Sequence, residues 1–261
     1  MGAVPLFFER FPVNQACILT RRRLLGTAAA AAVVSPVVQA KTGESSWSQT
    51  AAKAAETPLK AVLEHPFVRG MADGSLDRDK FAFYQAQNVH YLRAYAQSLD
   101  GMARRLEAAQ DVAQMLAWRD ETVAAAEESL KLWKSFGKGD KLPDPVAACE
   151  FYRSFEARMV AGGSLIEAWA ALLPCFWVYD RMGTEVKRIR RLAGNPYADW
   201  VQYYGDPAYS TTVGKAVDLA ERLAAKSSEV ERELAIRAFV TSVRLEWVLF
   251  DAAWNKTDWP V

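Results

Sequence analysis

The sequence is poor in the residues that bind metals and staple small folds: it has two histidines and three cysteines in 261 residues. A zinc site drawing four ligands from Cys and His has few ways to form, and an iron centre resting on several histidines is hard to assemble. An excess of positive charge is missing too. The 32 Lys and Arg against 31 Asp and Glu leave +1, without the basic field that releases counterions from phosphate, so nucleic acid is not an expected partner. No stretch shows sustained strand alternation bounded by hairpin turns, and there is no internal repeat. The uncharged run from Gly26 to Val38 has 13 residues, short of the roughly 20 that cross a bilayer as a helix.

What is present is a chain 51% hydrophobic, 11% aromatic and 24% charged, enough for one substantial core. Its first forty residues read as an address. Arg21-Arg22-Arg23 precedes the Ala- and Val-rich run, and Val38-Gln39-Ala40 fits a small-x-small cleavage site, the order of a signal peptide. The arginine pair resembles a twin-arginine export signal. The expected organisation is a leader over 1–40 and one domain over 41–261, located in the periplasm and touching the membrane only during export. Without the leader the chain carries −2 and keeps Cys149 and Cys175. Two cysteines allow one bridge at most. Cys149 is either an ordinary buried residue or a redox partner for Cys175.

Glycine and proline fall between helix-length segments rich in Ala, Leu, Glu, Arg and Lys, at Thr57-Pro58, His65-Pro66, Asp73-Gly74, Gly137 to Pro145, Gly162-Gly163, Gly194 to Pro196 and Gly205 to Pro207. Ser75-Leu76-Asp77 caps a helix that carries Phe81, Tyr84, Asn88, Tyr91 and Tyr95 on one face. A last helix from about Ser228 to Trp254 repeats the period with Ile236, Phe239, Val243, Glu246, Phe250 and Trp254. The expected fold is all-α, a single-domain bundle of seven or eight helices.

Polar residues on these apolar stripes carry the chemistry. Glu246 lies three residues after Val243 and four before Phe250, on the buried face. Desolvation raises the pKa of such a carboxyl and fits it to pass protons near neutral pH. The other reading is an ion pair with Arg237 or Arg244. Cys175 follows Pro174 within a helical stretch, where the missing N–H kinks the helix and brings out the thiol; the plainer reading is a small core hydrophobe. Asn88 among tyrosines, and Tyr152 one turn after Cys149, are either internally satisfied core groups or the lining of a pocket for a flat polar heterocycle.

Ala170-Ala171-Leu172-Leu173-Pro174-Cys175-Phe176-Trp177-Val178-Tyr179 resembles the signature of the TenA family, the thiaminase II group with a haem-oxygenase-like fold. Further blocks follow in the family's order: His65 to Gly70 with Asp73 to Leu76, Lys80 to Tyr84, Asn195-Pro196-Tyr197 with Trp200 and Tyr203-Tyr204-Gly205, and Thr241-Ser242 with Glu246. The resemblance implies hydrolysis of an aminopyrimidine, thiamin or a breakdown product, releasing 4-amino-5-hydroxymethyl-2-methylpyrimidine for salvage. It implies Cys175 as nucleophile and Glu246 as the residue handling a ring-nitrogen proton. Asn88, Tyr91, Tyr152, Tyr179 and Tyr204 become substrate contacts, with Asn88 standing where the family usually has an aspartate. No cofactor or metal is implied, and a homo-oligomer, a tetramer by resemblance, is. The alternatives are a pyrimidine-binding protein without turnover and a haem or di-iron oxygenase on the same fold, for which His65 and His90 are not obvious ligands.

Overall fold

The backbone is helical wherever the sequence leaves the 3.6-residue period uninterrupted. The computed structural model describes residues 45–261 apart from Lys138 and Asp140, so the leader expected over 1–40 lies outside the described residues. In chain order the helices are α1 (Trp47–Ala54), α2 (Glu56–Leu63), α3 (Pro66–Asp73), α4 (Arg78–Ala103), α5 (Ala109–Phe136) and α6 (Ala147–Gly162). They continue with α7 (Leu165–Leu172), α8 (Pro174–Ile189), α9 (Ala198–Tyr204), α10 (Pro207–Ala225) and α11 (Glu229–Asn255). The all-α expectation holds. The helix count does not: eleven are present among the described residues, not seven or eight. The stretch that reads as one kinked helix is divided at Leu173, the break expected at Thr57-Pro58 falls at Ala55, and several helices have only seven or eight residues. No helix among the described residues is long and apolar enough to cross a membrane.

The long helices start where capping chemistry places them. Asp77 accepts from the backbone N–H groups of Asp79 and Lys80 at the head of α4. Ser228 and Glu231 form a reciprocal capping box at the head of α11. α4 lies along α5, and α11 lies along α7; α6 bridges α4 and α11, and α8 packs on α11. The space they enclose is filled by aromatic rings, among them Tyr84, Tyr91, Tyr95, Tyr152, Trp118, Trp169 and Phe250, each 2% exposed or less. Burial of rings of this size stabilises by roughly 1.5–3 kcal/mol each. The structure thus places four tyrosine hydroxyls in an apolar interior, where each needs a partner.

The Asn195-Pro196-Tyr197 block ties α9 to the rest. The Asn195 amide donates to the Met71 and Arg191 carbonyls, both at 2.9 Å, and its carbonyl oxygen accepts from the Tyr197 N–H. Gly74 beside it ends α3 at φ +84°, a left-handed conformation that glycine tolerates without strain.

Candidate active site

Proline 174 has no N–H to donate to the preceding turn, so α7 stops at Leu172 and α8 begins at Pro174. The last carbonyls of α7 then need donors from elsewhere. Ser242 of α11 donates to the Ala171 carbonyl at 2.7 Å, and Tyr95 of α4 donates to the Leu172 carbonyl at 2.9 Å. Both side chains are buried. The break is thereby anchored to the two long helices, and Cys175 falls in the first turn of α8 with part of its surface accessible. Burial pushes its thiol well above the ordinary range, and the Glu246 and Glu156 carboxyls push it further. The Tyr91 and Tyr95 hydroxyls beside it act in the opposite direction. The thiol is therefore protonated at rest.

Glu246 is 1% exposed on α11. Its Oε1 accepts from the Tyr152 hydroxyl at 2.9 Å, while its Oε2 has no partner among the described residues. Burial pushes this carboxyl up to about 8, against the pull of the Tyr152 and Tyr179 hydroxyls. Arg237 and Arg244 are exposed on the outer side of the helix, so the ion-pair reading of Glu246 falls.

A second carboxyl stands in the same interior. Glu156 of α6 is fully buried; its Oε1 accepts from the Tyr91 hydroxyl at 3.0 Å, and its Oε2 has no partner among the described residues. Burial raises it well above the carboxylate range, Tyr91 opposes this and Glu246 adds to it. The rings of Tyr91 and Tyr152 lie 4.7 Å apart, which joins the two carboxyls through one aromatic wall. Opposite in sequence, Tyr84 and Tyr179 share a hydroxyl hydrogen bond of 2.8 Å, and the Tyr179 ring lies 4.8 Å from that of Tyr204. Gly183 permits this last contact: a Cβ there would stand 1.9 Å from the Tyr204 carbonyl oxygen.

Asn88 is buried at 7% exposure, and its amide donates to Ser129 Oγ of α5 at 2.9 Å. The Cys149 thiol donates to the Gln87 carbonyl at 3.5 Å, and both cysteines are free. Burial pushes Cys149 up to about 12, so this thiol is held against α4 in the manner of a core residue. His65 caps α3, its Nδ1 accepting from the Phe67 N–H at 3.1 Å, and its Nε2 faces Asp251 at 3.6 Å. His90 meets the Pro143 carbonyl at 2.8 Å.

A thiol, a carboxyl raised to about 8 and a wall of aromatic rings are the groups that attack on a flat, electron-poor ring would need. Comparison with known proteins places the molecule. The model of the TENA/THI-4/PQQC family matches residues 53–256. The chain belongs to that family. Among its relatives are the aminopyrimidine aminohydrolase of Bacillus subtilis, 32% identical over 75% of this chain and 84% of that protein, and the one of Halalkalibacterium halodurans, 28% identical over 77% and 92%. A TenA homologue from P. horikoshii OT3 superposes with a TM-score of 0.72 at 25% identity, covering 82% of this chain and all of that one. A Shewanella denitrificans domain described as having a heme oxygenase-like fold gives 0.60 at 15% identity over 80% of this chain and 92% of its own, which speaks for the fold.

In this TenA-family chain the structure brings Cys175, Glu246, Tyr91, Tyr152, Tyr179 and Tyr204 into one interior. Asn88 lies on the same helix face as Tyr91, with its amide committed to α5. Sequence reasoning missed Glu156, although the signal was there. Glu156 follows Cys149 by seven residues and Tyr152 by four, on the buried stripe of α6, the same argument that singles out Glu246.

Proposed function

We propose that the chain is a hydrolase of C–N bonds, an aminopyrimidine aminohydrolase of the thiaminase II type. The observation that carries this reading is the buried Glu246, hydrogen-bonded by Tyr152 through one oxygen and open on the other, in the same interior as the thiol of Cys175. The names of its relatives supply the substrate class. The Cys175 sulfur adds to a ring carbon as Glu246 gives its proton to a ring nitrogen, and the carboxylate formed takes up the thiol proton. A carboxyl poised at about 8 serves both transfers. Electrons from the ring N–H side of the sulfur adduct then expel the leaving group from the exocyclic methylene carbon, as neutral thiazole or, once protonated, as the amine. Water adds to that carbon and loses a proton to the site; the C–S bond then breaks as the ring nitrogen gives up its proton, which returns to the sulfur and leaves the aromatic hydroxymethyl aminopyrimidine and the free thiol. The tyrosine walls exclude bulk water and hold the ring flat.

The test is incubation of the purified protein with thiamin and with 4-amino-5-aminomethyl-2-methylpyrimidine, following release of the hydroxymethyl product. Tight binding without release would replace the hydrolase with a pyrimidine-binding protein. Export to the periplasm is part of the proposal and rests on the order of residues 21–40. Replacing Arg21, Arg22 and Arg23 by lysine should hold the protein in the cytoplasm of a cell that otherwise exports it. A homo-oligomer is also proposed, by resemblance to the family, and light scattering of the purified protein tests it.

A further inference from the structure

Glu246 and Cys175 suffice for the bond-breaking steps, and they leave the second buried carboxyl without a task. A fully buried glutamate with one unpartnered oxygen is costly for a fold to keep, since hydrophobic residues of similar volume fill such a place without that cost. Among the described residues Glu156 has no cationic partner, and its one hydrogen bond comes from Tyr91. Its position is also set with some care. The donating Tyr91 packs on Tyr152, Tyr152 holds Glu246, and Glu156 stands close enough to Cys175, Tyr91, Tyr95 and Tyr152 to influence the titration of each. Its open oxygen therefore belongs to the interior that holds the nucleophile.

We propose that Glu156 is a specificity-determining residue of this site, pairing with the exocyclic amino group and the adjacent ring nitrogen of the pyrimidine. This rests on the aminopyrimidine reading above. Donation from Tyr91 marks Oε1 as the acceptor oxygen, with a second lone pair left for an amino N–H. Burial keeps the group protonated, so Oε2–H is a donor without a partner, and an unprotonated ring nitrogen beside an amino group offers the matching acceptor. The two acids then divide the two ring nitrogens: Glu246 transfers a proton to one, and Glu156 reads the other together with its amino neighbour. Asn88 does not duplicate this with its amide, which is given to Ser129.

The experiment measures dissociation constants by calorimetry for the hydroxymethyl aminopyrimidine and for its analogue with hydrogen in place of the amino group. A site built around a hydrogen bond rejects the ligand that lacks it, and a buried group left unpaired corresponds to a preference of about 100-fold for the amino compound in the native chain. Glu156→Leu should bring the preference to within about threefold. Glu156→Gln, which offers one acceptor and one donor in similar places, should keep it above about tenfold. A structural role alone would weaken both ligands together and leave their ratio unchanged. A folded Glu156→Leu variant, or Glu156→Met should Leu not fold, that retains the native ratio overturns the proposal while leaving the hydrolase reading intact. A native protein that binds neither pyrimidine overturns both.

Discussion

The Tyr152 hydroxyl donates to Glu246 Oε1 at 2.9 Å across the gap between α6 and α11, and it leaves the other carboxyl oxygen facing the interior. One tyrosine thus fixes the rotamer of the proposed proton carrier and leaves its other oxygen open. Because Tyr152 packs on Tyr91, which in turn holds Glu156, the two buried carboxyls are positioned by the same pair of rings.

Replacing that proton carrier should separate chemistry from binding. Glu246→Gln keeps a hydrogen bond with Tyr152 and removes the transferable proton, so kcat should fall by about 10²–10⁴ with Kd for the product changed far less. In the native enzyme proton donation depends on the neutral acid, which burial maintains up to about 8. The pH profile of kcat/KM should fall above that value. A profile flat to pH 10 would remove Glu246 as the acid.

Cys175→Ser should abolish most turnover while the melting temperature and product affinity stay close to native, because a serine hydroxyl is far less nucleophilic at neutral pH. Mass spectrometry of the native enzyme quenched during turnover should show a pyrimidine adduct on the peptide carrying Cys175. Full activity in the serine variant would exclude the covalent route.

The parts of the fold that were legible in the sequence are those that depend on local chemistry. Asp77 and Ser228 begin their helices because a short polar side chain satisfies orphan N–H groups wherever an apolar period follows. Pro174 breaks the chain at α7 because its ring removes a donor whatever surrounds it. Pro58 shows the limit: it suggests a turn at Thr57-Pro58, yet the break falls at Ala55, since the first turn of a helix tolerates proline. The site residues on helix faces could be ranked by periodicity alone. What α4 offers to which neighbour could not, and so the turn of the Asn88 amide toward Ser129, and of the Cys149 thiol toward Gln87, emerged only from the packing. Glu156 was legible by the rule applied to Glu246.

Gly183 makes a sharper packing test than any aromatic residue. A methyl group there would overlap the Tyr204 carbonyl, and backbone cannot rotate away as a side chain can. Gly183→Ala should displace α9 from α8, lower stability by roughly 1–3 kcal/mol and raise KM through loss of the Tyr179–Tyr204 contact. Thermal melting with steady-state kinetics would measure both; an unchanged melting temperature would show that α9 shifts without resistance.

The buried carboxyl also sets how stability responds to pH. Glu246 has its folded pKa raised to about 8 by burial, so between the ordinary carboxylate range and that value the folded chain keeps a proton that the unfolded chain releases. Stability contributed by this group is therefore complete only below the ordinary carboxylate range and is lost as pH rises from there to about 8, with a limiting slope of roughly 1.4 kcal/mol per pH unit. Glu156, raised in the same direction, adds to the decline. His65, lowered by burial, works the other way, mainly below its ordinary titration near 6.5. Between pH 6.5 and pH 8 the remaining His65 contribution is common to the native protein and a Glu246 variant, so their difference isolates the carboxyl. The native protein should lose melting temperature across that interval, and Glu246→Gln, which has no proton to release, should lose less by a few degrees, given about 2–4 °C per kcal/mol for a domain of this size. Parallel losses in the two proteins would mean that Glu246 is ionised in the folded chain already at pH 6.5.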